Sequence, residues 1–525
     1  MKNLMKQFAI KMTMQEAFFW GFFFLLSLAK GLGFYEGQKL FVLLVVPGLL
    51  CGLLKILATP YTARQLGMVT VLFLLTLLVY FRSHALGIVF VSFLVLGMKG
   101  IRVEKVFHVG LWVWSVCAVF LSTLSFFFLE HTVYRVHRKL GLGHIFRWSL
   151  GFTHPNILHI TYLTLCALIL YQMGERYNFR HYVLLMLGNL LVFLYSISYT
   201  GFGIVVLLLT GCLYVQFRPR FSFPEKFLVN LVLPICLILT FVLPKFMYDN
   251  PLWFIVQGIN RILNTRIWLA EQFMKPEYKS LFGIDIAPLV TSYMNIDNSY
   301  VLGYINYGLI PFVVIMAGYF ALLFYLTRRQ KTRELVILAC FLAAGWTEQL
   351  LFNTSFKNIT LIFLGAMLFS QKDGEKEYCL MPWAQKEITI PLALLPDYLS
   401  ALAGKIWKLH KKRILAVTLA GCVAGGVLCA LLYEQPAGYV VQRFYTDGLE
   451  ETSVYLTGED DPAYEGYRVM NYKDAETPMQ VIEGKAVGLE TLRYHLGSVL
   501  IGGMAGAFLA VAGTGCRERR RGSDQ

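Results

Sequence analysis

The sequence contains few charged residues for its length. Only 15% of its 525 residues are charged, whereas a soluble domain carries about 25%. This shortage excludes a protein with a fully hydrated surface, because such a surface needs more charge. The sequence also lacks C-x-x-C spacing, and none of its 10 cysteines falls in a predicted outer loop. The cysteines therefore predict neither a metal site nor a disulfide framework.

Long apolar runs are what the chain has in place of charge. Hydrophobic residues make up 57% of the sequence, and a helix needs about 20 mostly apolar residues to cross a bilayer. The runs predict an all-α, polytopic membrane protein with about fourteen transmembrane helices, of which the final pair forms a C-terminal hairpin. The predicted spans are residues 17–32, 40–58, 66–81, 85–98, 107–128, 157–173, 182–197, 202–217, 227–243, 301–327, 335–352, 354–370, 414–433 and 496–512.

The distribution of lysine and arginine predicts the orientation of these spans. With the N-terminus in the cytoplasm, more than half of the 47 basic residues fall in cytoplasmic segments, and the short outer loops are nearly uncharged. Cytoplasmic loops of membrane proteins carry this excess. We therefore expect cytoplasmic N- and C-termini. The net charge of +15 then requires no nucleic acid as a partner.

The first of three predicted parts is a helical core. It covers residues 1–370 and has two outer loops, 130–156 and 244–299, that are much longer than a turn. Long loops inside a compact fold are usually functional or disordered. These two contain many aromatic and apolar residues, which is typical of packed loops or re-entrant helices.

The other two parts follow the core. Residues 371–413 form a cytoplasmic connector in which basic and apolar residues recur at near-helical spacing. It is either an amphipathic helix lying on anionic lipid or the basic flank of the next span. Residues 414–525 form the helical hairpin, whose extracytoplasmic insert, 434–495, carries twelve acidic and five basic residues.

Ionisable side chains near the outer membrane boundary are the candidates for chemistry, because polar groups at membrane depth are costly and usually functional. Arginine forks suit phosphate oxygens, and a carboxylate or an imidazole can act as a general base. Both kinds converge there in the predicted topology, which fits a pyrophosphate-linked substrate. The main members are Arg147, His154, Arg261, Arg266, Asp285, Asp297 and Glu348.

Three stretches of sequence together carry a family resemblance. Residues 147–156, RWSLGFTHPN, resemble the R-x-S-L-G-F-x-H-P-N segment of Wzy-type polysaccharide polymerases, in the O-antigen polymerase/ligase superfamily. Residues 195–201, YSISYTG, resemble their next segment, Y-S-x-S-R-T-G, with Tyr199 where an arginine is usual. The third stretch resembles their second large outer loop; it consists of Arg266-Ile267-Trp268, Leu281-Phe282-Gly283, Asp297-Asn298-Ser299-Tyr300 and Tyr307-Gly308.

This resemblance implies a glycosyltransferase of the bacterial cytoplasmic membrane. Such an enzyme polymerises undecaprenyl-pyrophosphate-linked oligosaccharide repeat units into a surface polysaccharide outside the membrane. It needs no cofactor and no metal, and its further partners are membrane lipids, a chain-length regulator and a flippase. Two alternatives stay open: an O-antigen-ligase-like transfer of the glycan to another acceptor, and a transporter or flippase of lipid-linked sugars.

The resemblance and the predicted topology also assign roles to residues. The predicted catalytic residues are Asp297, His154 and Glu348. Asp297 is the preferred general base, because it stands where the second long loop re-enters the membrane, and His154 is the alternative. The predicted substrate-binding residues are Arg147, Arg261, Arg266, Asn156, Tyr199, Asn298 and Tyr300. The three arginines among them are expected to hold the pyrophosphate.

Most of these residues have a structural alternative. His154 and Asp297 are suited to the starts of helices, Asn298 and Tyr300 to packing, and Glu348 to bridging helices. Arg147 is suited to anchoring at the interface, while Arg261 and Arg266 are suited to pairing with local acids.

The hairpin, residues 414–525, faintly resembles the frame of chain-length regulators, although its insert is short for that family and a generic helical hairpin fits better. Every polymerase-like segment ends before residue 371. This limit predicts that a protein lacking the hairpin still polymerises but makes polymer of altered length.

Overall fold

The described part of the chain is built almost entirely from helices. The computed structural model describes residues 10–127, 134–248, 251–263, 265–290, 295–370, 376–390, 396–443, 465–472 and 480–523. In these ranges ten helices are long and apolar enough to cross a membrane. Each predicted span overlaps helical residues, so the prediction of an all-α, multi-pass membrane protein is confirmed.

The elements follow one another along the chain with few strands between them. The helices are α1 (Met14–Gly31), α2 (Lys39–Ala58), α3 (Ala63–Ser83), α4 (Leu86–Gly97), α5 (Val103–Phe127), α6 (Pro155–Met173), α7 (Phe179–Ser196), α8 (Tyr199–Phe217), α9 (Phe223–Asn230), α10 (Val232–Phe241), α11 (Trp253–Ile262), α12 (Arg266–Phe273), α13 (Ser299–Leu302), α14 (Leu309–Arg328), α15 (Thr332–Thr347), α16 (Thr360–Leu368), α17 (Pro396–Leu432) and α18 (Lys485–Ser523). The strands are β1 (Ile10–Thr13), β2 (Tyr61–Thr62), β3 (Tyr134–Arg138), β4 (His144–Trp148), β5 (Glu377–Tyr378), β6 (Glu387–Ile390), β7 (Gly438–Arg443), β8 (Tyr467–Tyr472) and β9 (Gln480–Ile482).

Two of the predicted spans are interrupted for local backbone reasons. The span 227–243 is divided between α9 and α10 at Leu231. Pro234 explains the break, because proline lacks the N–H of a helix interior and its ring clashes with the carbonyl four residues earlier, that of Asn230. The span 301–327 is interrupted at Gly308, whose φ of +88° ends a short π-helical turn before α14 begins.

The chain forms two compact units, each assembled from separate segments. The first unit comprises Met1–Phe120, His159–Phe193 and Ser198–Ala393, and the second comprises Leu121–Leu158, Leu194–Ile197 and Leu394–Gln525. These boundaries differ from those expected from the sequence. The segment Leu121–Leu158 belongs with the C-terminal hairpin rather than with most of the helical core.

The core of the first unit is a continuous cluster of buried aromatic and aliphatic side chains, among them Phe22, Tyr307, Tyr319 and Phe341. Other helix faces stay apolar although they are exposed; Leu184, for example, is 65% exposed. In a bilayer such faces contact lipid, which is as apolar as leucine. The apolar runs therefore serve both the core and the lipid-facing surface.

The predicted connector is partly tied to the first unit by strands. β6 pairs with β1 and β5 pairs with β2, both antiparallel. Lys99 Nζ lies 2.9 Å from Glu377 Oε1 beside the second pair. The segment 376–390 is thus a packed part of this unit.

The rest of the connector is continuous with the next span. α17 is one helix of 37 residues, which at 1.5 Å per residue is about 55 Å long, well beyond the ~30 Å of a bilayer core. Its basic residues and its apolar span therefore lie on one helix. This arrangement favours the basic-flank alternative over a helix lying flat on lipid.

In the second unit, the first long loop contains strands where a packed loop or a re-entrant helix was expected. β3 and β4 form an antiparallel hairpin in which Arg135 pairs with Arg147. The last four residues of β4, from Ile145 to Trp148, are all buried. The loop is therefore packed, which is one of the two expected alternatives, but it is packed through strands rather than through a re-entrant helix.

The hairpin helices of the second unit approach each other through glycine. A Cβ added to Gly421 on α17 would lie 2.2 Å from the Gly502 carbonyl oxygen on α18. Small residues permit such close contact of membrane helices. Part of the acidic insert between them forms a three-stranded sheet in the order β8-β7-β9.

Candidate functional site

A buried arginine and two carboxylates meet in the first unit. Arg266 Nε donates to Asp297 Oδ2 at 3.3 Å, and Arg266 Nη2 donates to Glu348 Oε1 at 2.7 Å. Arg266 Nη1 donates to the Thr200 hydroxyl at 3.4 Å, and this hydroxyl donates to Glu348 Oε1 at 3.0 Å. We call Thr200, Arg266, Asp297 and Glu348 the Arg266 cluster. The structure thus brings together three of the residues predicted from sequence.

Each member of the Arg266 cluster stands at the end of an element. Thr200 lies in the first turn of α8, and Arg266 is the first residue of α12. Glu348 ends α15 in an extended conformation with φ of −140°. Asp297 directly precedes Asn298, the N-cap of α13. Helix ends are suited to forming such a cluster, because the chain leaves the regular helix there and polar side chains from different helices can converge.

Exposure within the Arg266 cluster is uneven. The side chains of Arg266 and Glu348 are 10% and 11% exposed, whereas that of Asp297 is 33% exposed. Burial by itself lowers the pKa of Arg266, but Glu348 and Asp297 raise it above the usual value. Arg266 is therefore a cation, and Asp297 is the carboxylate of the cluster that solvent reaches most easily.

Arg266 retains hydrogen-bonding capacity. A guanidinium has five N–H donors, and the contacts with Asp297, Glu348 and Thr200 use three of them. Two N–H groups, one on each terminal nitrogen, have no partner among the described residues. Planar donors of this kind bind phosphate or carboxylate oxygens in forked geometry.

A narrow cleft with free space of about 10 Å³ lies beside Arg266, which is roughly the room that one water molecule needs. Asn298 and Thr347 add polar groups to its wall, and the remaining lining is apolar: Leu239, Pro244, Leu263, Ile267, Ala270 and Trp346. The cleft therefore gives water access to Arg266 but is too small to hold a sugar or a pyrophosphate as it stands.

The residues that follow Asp297 hold the backbone. Asn298 Oδ1 accepts from the backbone N–H groups of Tyr300 and Val301 at 2.8 and 3.2 Å. Asn298 is therefore the N-cap, a role considered for Asp297, and Asp297 is left to pair with Arg266. Tyr300 is fully buried, and its hydroxyl donates to the Leu342 carbonyl at 2.7 Å. This geometry supports the packing alternative for Tyr300, while Asn298 both caps the helix and lines the cleft beside Arg266.

The glycines of the third motif stretch hold two segments together. A Cβ on Gly308 would lie 2.2 Å from Gly283 N, and both glycines have positive φ. Leu309 N donates to the Ser280 carbonyl at 2.9 Å beside this contact. The resemblance at Gly283 and Gly308 thus has a structural explanation, since these residues fasten the end of the second long loop to the start of α14.

Three other candidates of the first unit lie on its surface. Arg261 is exposed in the last turn of α11. Asp285 is exposed and accepts from Ala287 N at 2.9 Å, as expected for a turn. Tyr199 is 48% exposed, and its ring centroid lies 5.5 Å from that of Phe193. The structure does not bring these side chains into the Arg266 cluster.

Arg147 belongs to a separate polar group in the second unit. Its Nε donates to the Ser196 carbonyl at 2.8 Å and its Nη2 donates to Asn156 Oδ1 at 2.6 Å. Arg147 is buried, with 6% of its surface exposed. The first two motif stretches are therefore in direct contact through this arginine.

His154 has a helix-starting role. Its Nδ1 accepts from Asn156 N at 3.1 Å at the beginning of α6. A backbone N–H can only donate, so in the neutral imidazole the proton is on Nε2. The Nδ1 lone pair of His154 is thus engaged by the backbone, which agrees with the helix-start alternative for this residue.

Sequence reasoning passed over Thr200, Glu490 and Arg493. Thr200 lies inside the second motif stretch, and its position there was the available signal. Glu490 and Arg493 form a fully buried ion pair in the second unit. Their spacing of three residues indicates one helix face, but it does not reveal what that face contacts.

The comparison with known proteins gives no assignment. No family model, curated protein or solved structure matches the chain. Within the described ranges, no group of three or more His, Cys, Asp or Glu side chains could hold a metal ion. The fold defines the class, a multi-pass α-helical membrane protein. Only the arrangement of its polar side chains bears on its function.

Proposed function

We propose that this protein is a glycosyltransferase that polymerises undecaprenyl-pyrophosphate-linked oligosaccharide repeat units into a surface polysaccharide, outside the cytoplasmic membrane of a bacterium. The observation that carries the proposal is the Arg266 cluster. Thr200, Arg266 and Asp297 stand in the segments that resemble Wzy-type polymerases. Thr200, Asp297 and Glu348 surround the guanidinium of Arg266, which lines a cleft.

In this proposal Asp297 is the general base. The acceptor sugar gives its hydroxyl proton to Asp297 while its oxygen attacks the anomeric carbon of the donor glycan. The bond from that carbon to the pyrophosphate oxygen breaks, and undecaprenyl pyrophosphate leaves with the electron pair. A positioned base contributes about 10²- to 10⁴-fold to such a step. Asp297 suits this role because it is the most exposed carboxylate of its cluster and Arg266 fixes its orientation.

Arg266 has two roles in the proposal. It orients Asp297, and its two remaining N–H groups can donate to an oxygen ligand such as phosphate. The cluster contains two carboxylates for one guanidinium, so further cations are needed to hold a pyrophosphate. Arg261, exposed in the same unit, is the proposed source of this charge. Arg147, which stands in the first motif stretch, is proposed as a donor-binding residue of the second unit.

The proposal requires Asp297 to lie on the outer side of the membrane, with both termini in the cytoplasm. Cysteine labelling tests this orientation at one position in the second long loop and one just after the tenth predicted span. A cysteine in place of the exposed Glu277 should react with an impermeant maleimide added to intact cells. A cysteine in place of the exposed Arg329 should react only after the membrane is opened. The reverse pattern would contradict the proposed orientation.

The reaction itself is tested by reconstitution. Purified protein in lipid nanodiscs is incubated with a lipid-linked repeat unit taken from the host strain, and the products are separated by size. A ladder of products that differ by one repeat unit is expected. Transfer of the glycan only to a different acceptor would replace the proposal by the ligase alternative. Movement of the intact lipid-linked unit across liposomes without a new glycosidic bond would replace it by the transporter alternative.

A further inference from the structure

The terminal helix of the second unit carries an ion pair that is completely enclosed. Glu490 and Arg493 lie three residues apart on α18, and their side chains are 1% and 0% exposed. Arg493 Nη1 donates to Glu490 Oε1. Enclosing two charges is costly unless further hydrogen bonds satisfy them. The partners of this pair therefore indicate what it holds in place.

Arg493 binds the backbone of two different segments. Its Nη1 donates to the Phe146 carbonyl at 2.9 Å, and its Nε donates to the Leu194 carbonyl at 2.8 Å. In return, the Tyr195 hydroxyl donates to the Arg493 carbonyl at 2.7 Å. One arginine of α18 thus holds the middle of β4 and the last turn of α7.

Glu490 completes the attachment to β4. Its Oε2 accepts from Trp148 Nε1 at 2.9 Å. The Trp148 ring packs against Tyr195 and Tyr494 at centroid distances of 5.8 and 5.2 Å. The pair therefore contacts Phe146 and Trp148, the two residues on either side of Arg147.

The residue that Arg147 contacts, Ser196, is also held in place by α18. Arg147 Nε donates to the carbonyl of Ser196, and Ser196 directly follows the two residues that Arg493 binds, Leu194 and Tyr195. Both ends of the contact between Arg147 and Ser196 are therefore fixed by α18. All of these residues belong to the second unit.

We propose that Glu490 and Arg493 are positioning residues that set the place of Arg147 for the glycan donor. The inference rests on the proposed function, in which Arg147 is a donor-binding residue. It reverses the expectation that the hairpin is dispensable, because α18 supplies the attachment of two motif stretches. The hairpin is then a working part of the polymerase and not an accessory to it.

The test uses the full-length protein in nanodiscs with two conservative variants, Glu490→Gln and Arg493→Lys. Glu483→Gln is the matched control, since Glu483 is an exposed carboxylate just before α18 that bonds Tyr467 instead. If a single variant fails to accumulate, Glu490→Leu combined with Arg493→Met removes both charges together, a change that buried pairs often tolerate. Each protein is examined by amide hydrogen exchange and by donor kinetics.

Faster exchange is expected in peptides covering 144–148 and 194–197, with the rest of the protein unchanged. The KM for the donor should rise about 10- to 100-fold, the range for a misplaced binding group, while kcat changes much less. Glu483→Gln should match the wild type in both measurements. Unchanged exchange would overturn the attachment, and faster exchange with an unchanged donor KM would overturn the positioning role. If the wild-type protein transfers no glycan, the proposed function fails, and the positioning role fails with it. The exchange data then decide the attachment alone.

Discussion

Arg266 and Arg493 are both buried arginines that face a carboxylate, yet their surroundings differ. Arg493 is fully buried and directs its Nε and Nη1 to Glu490 and to two backbone carbonyls. Arg266 lines a cleft, and its partner Asp297 is 33% exposed. The comparison teaches that a closed ion pair is suited to holding backbone segments. An open pair keeps donors and a carboxylate within reach of a ligand.

The largest expected effect is on the closed pair. Arg493→Ala leaves Glu490 as a buried charge without its cation, so the free energy of unfolding should fall by about 3–5 kcal/mol. Thermal or denaturant unfolding of the purified protein in detergent measures this loss. Leu492→Ala is the control, because Leu492 is a neighbour on the same helix that is 52% exposed. If Arg493→Ala and Leu492→Ala are equally stable, the ion pair of Arg493 does not hold the backbone segments as argued.

The open pair should respond mainly in activity. Arg266→Lys keeps the positive charge, but an ammonium cannot reach Asp297 and Glu348 in the forked geometry of a guanidinium. Polymer formation should fall about 10²-fold, as expected for a misoriented catalytic group, while the unfolding temperature changes little. Polymer yield is compared at equal amounts of membrane-inserted protein. Normal polymerisation by Arg266→Lys would show that the fork of Arg266 has no role.

The sequence was sufficient to predict the helices, and it contains the reason for one of their interruptions. Apolar runs long enough to cross a bilayer are a local signal, and Pro234 marks the break between α9 and α10 for a local reason. The β3–β4 hairpin was missed because its buried face has no alternation of polar and apolar residues. A strand is recognised in a sequence by alternating polar and apolar residues, and β4 lacks this alternation.

The Arg266 cluster was predictable only as a set of candidates. Arg266 and Asp297 are 31 residues apart and Arg266 and Glu348 are 82 apart, so no local pattern indicates that they meet. Asp297 and Asn298 are both good N-cap residues, and only the fold decides that Asn298 caps the helix. The contacts of Arg493 with Phe146 and Leu194 were beyond prediction for the same reason, because they join segments hundreds of residues apart.

A smaller effect is expected at the hydroxyl that supports the open pair. Thr200→Val keeps the shape of the side chain and removes its hydrogen bonds to Arg266 and Glu348. Loss of such a bond costs about 0.5–1.5 kcal/mol, which should appear as a modest fall in the rate of polymerisation. Thr210→Val, at an exposed position on the same helix, is the control. A rate equal to that control would separate Thr200 from the function of the cluster.

The smallest effect on stability is expected at Arg261. This residue is exposed, and Arg261→Ala should change the free energy of unfolding by less than about 0.5 kcal/mol. It should nevertheless weaken donor binding at low salt and much less at high salt, because exposed charges are screened. Lys279→Ala removes another exposed cation of the same loop and serves as the control. Identical salt dependence of the two variants would remove Arg261 from the pyrophosphate site.

The most direct test of the open pair is the turnover of Asp297→Asn. Asparagine keeps the shape of the side chain and removes its basicity, so the purified variant should still bind the lipid-linked donor. It should lose at least about a hundredfold in turnover, the low end for a missing general base. Asp285→Asn is the matched control, since the structure places Asp285 outside the Arg266 cluster, as an exposed carboxylate that accepts a hydrogen bond in a turn of the same loop; this variant should polymerise normally. Near-normal polymer from Asp297→Asn would contradict the proposal that the Arg266 cluster is the catalytic site.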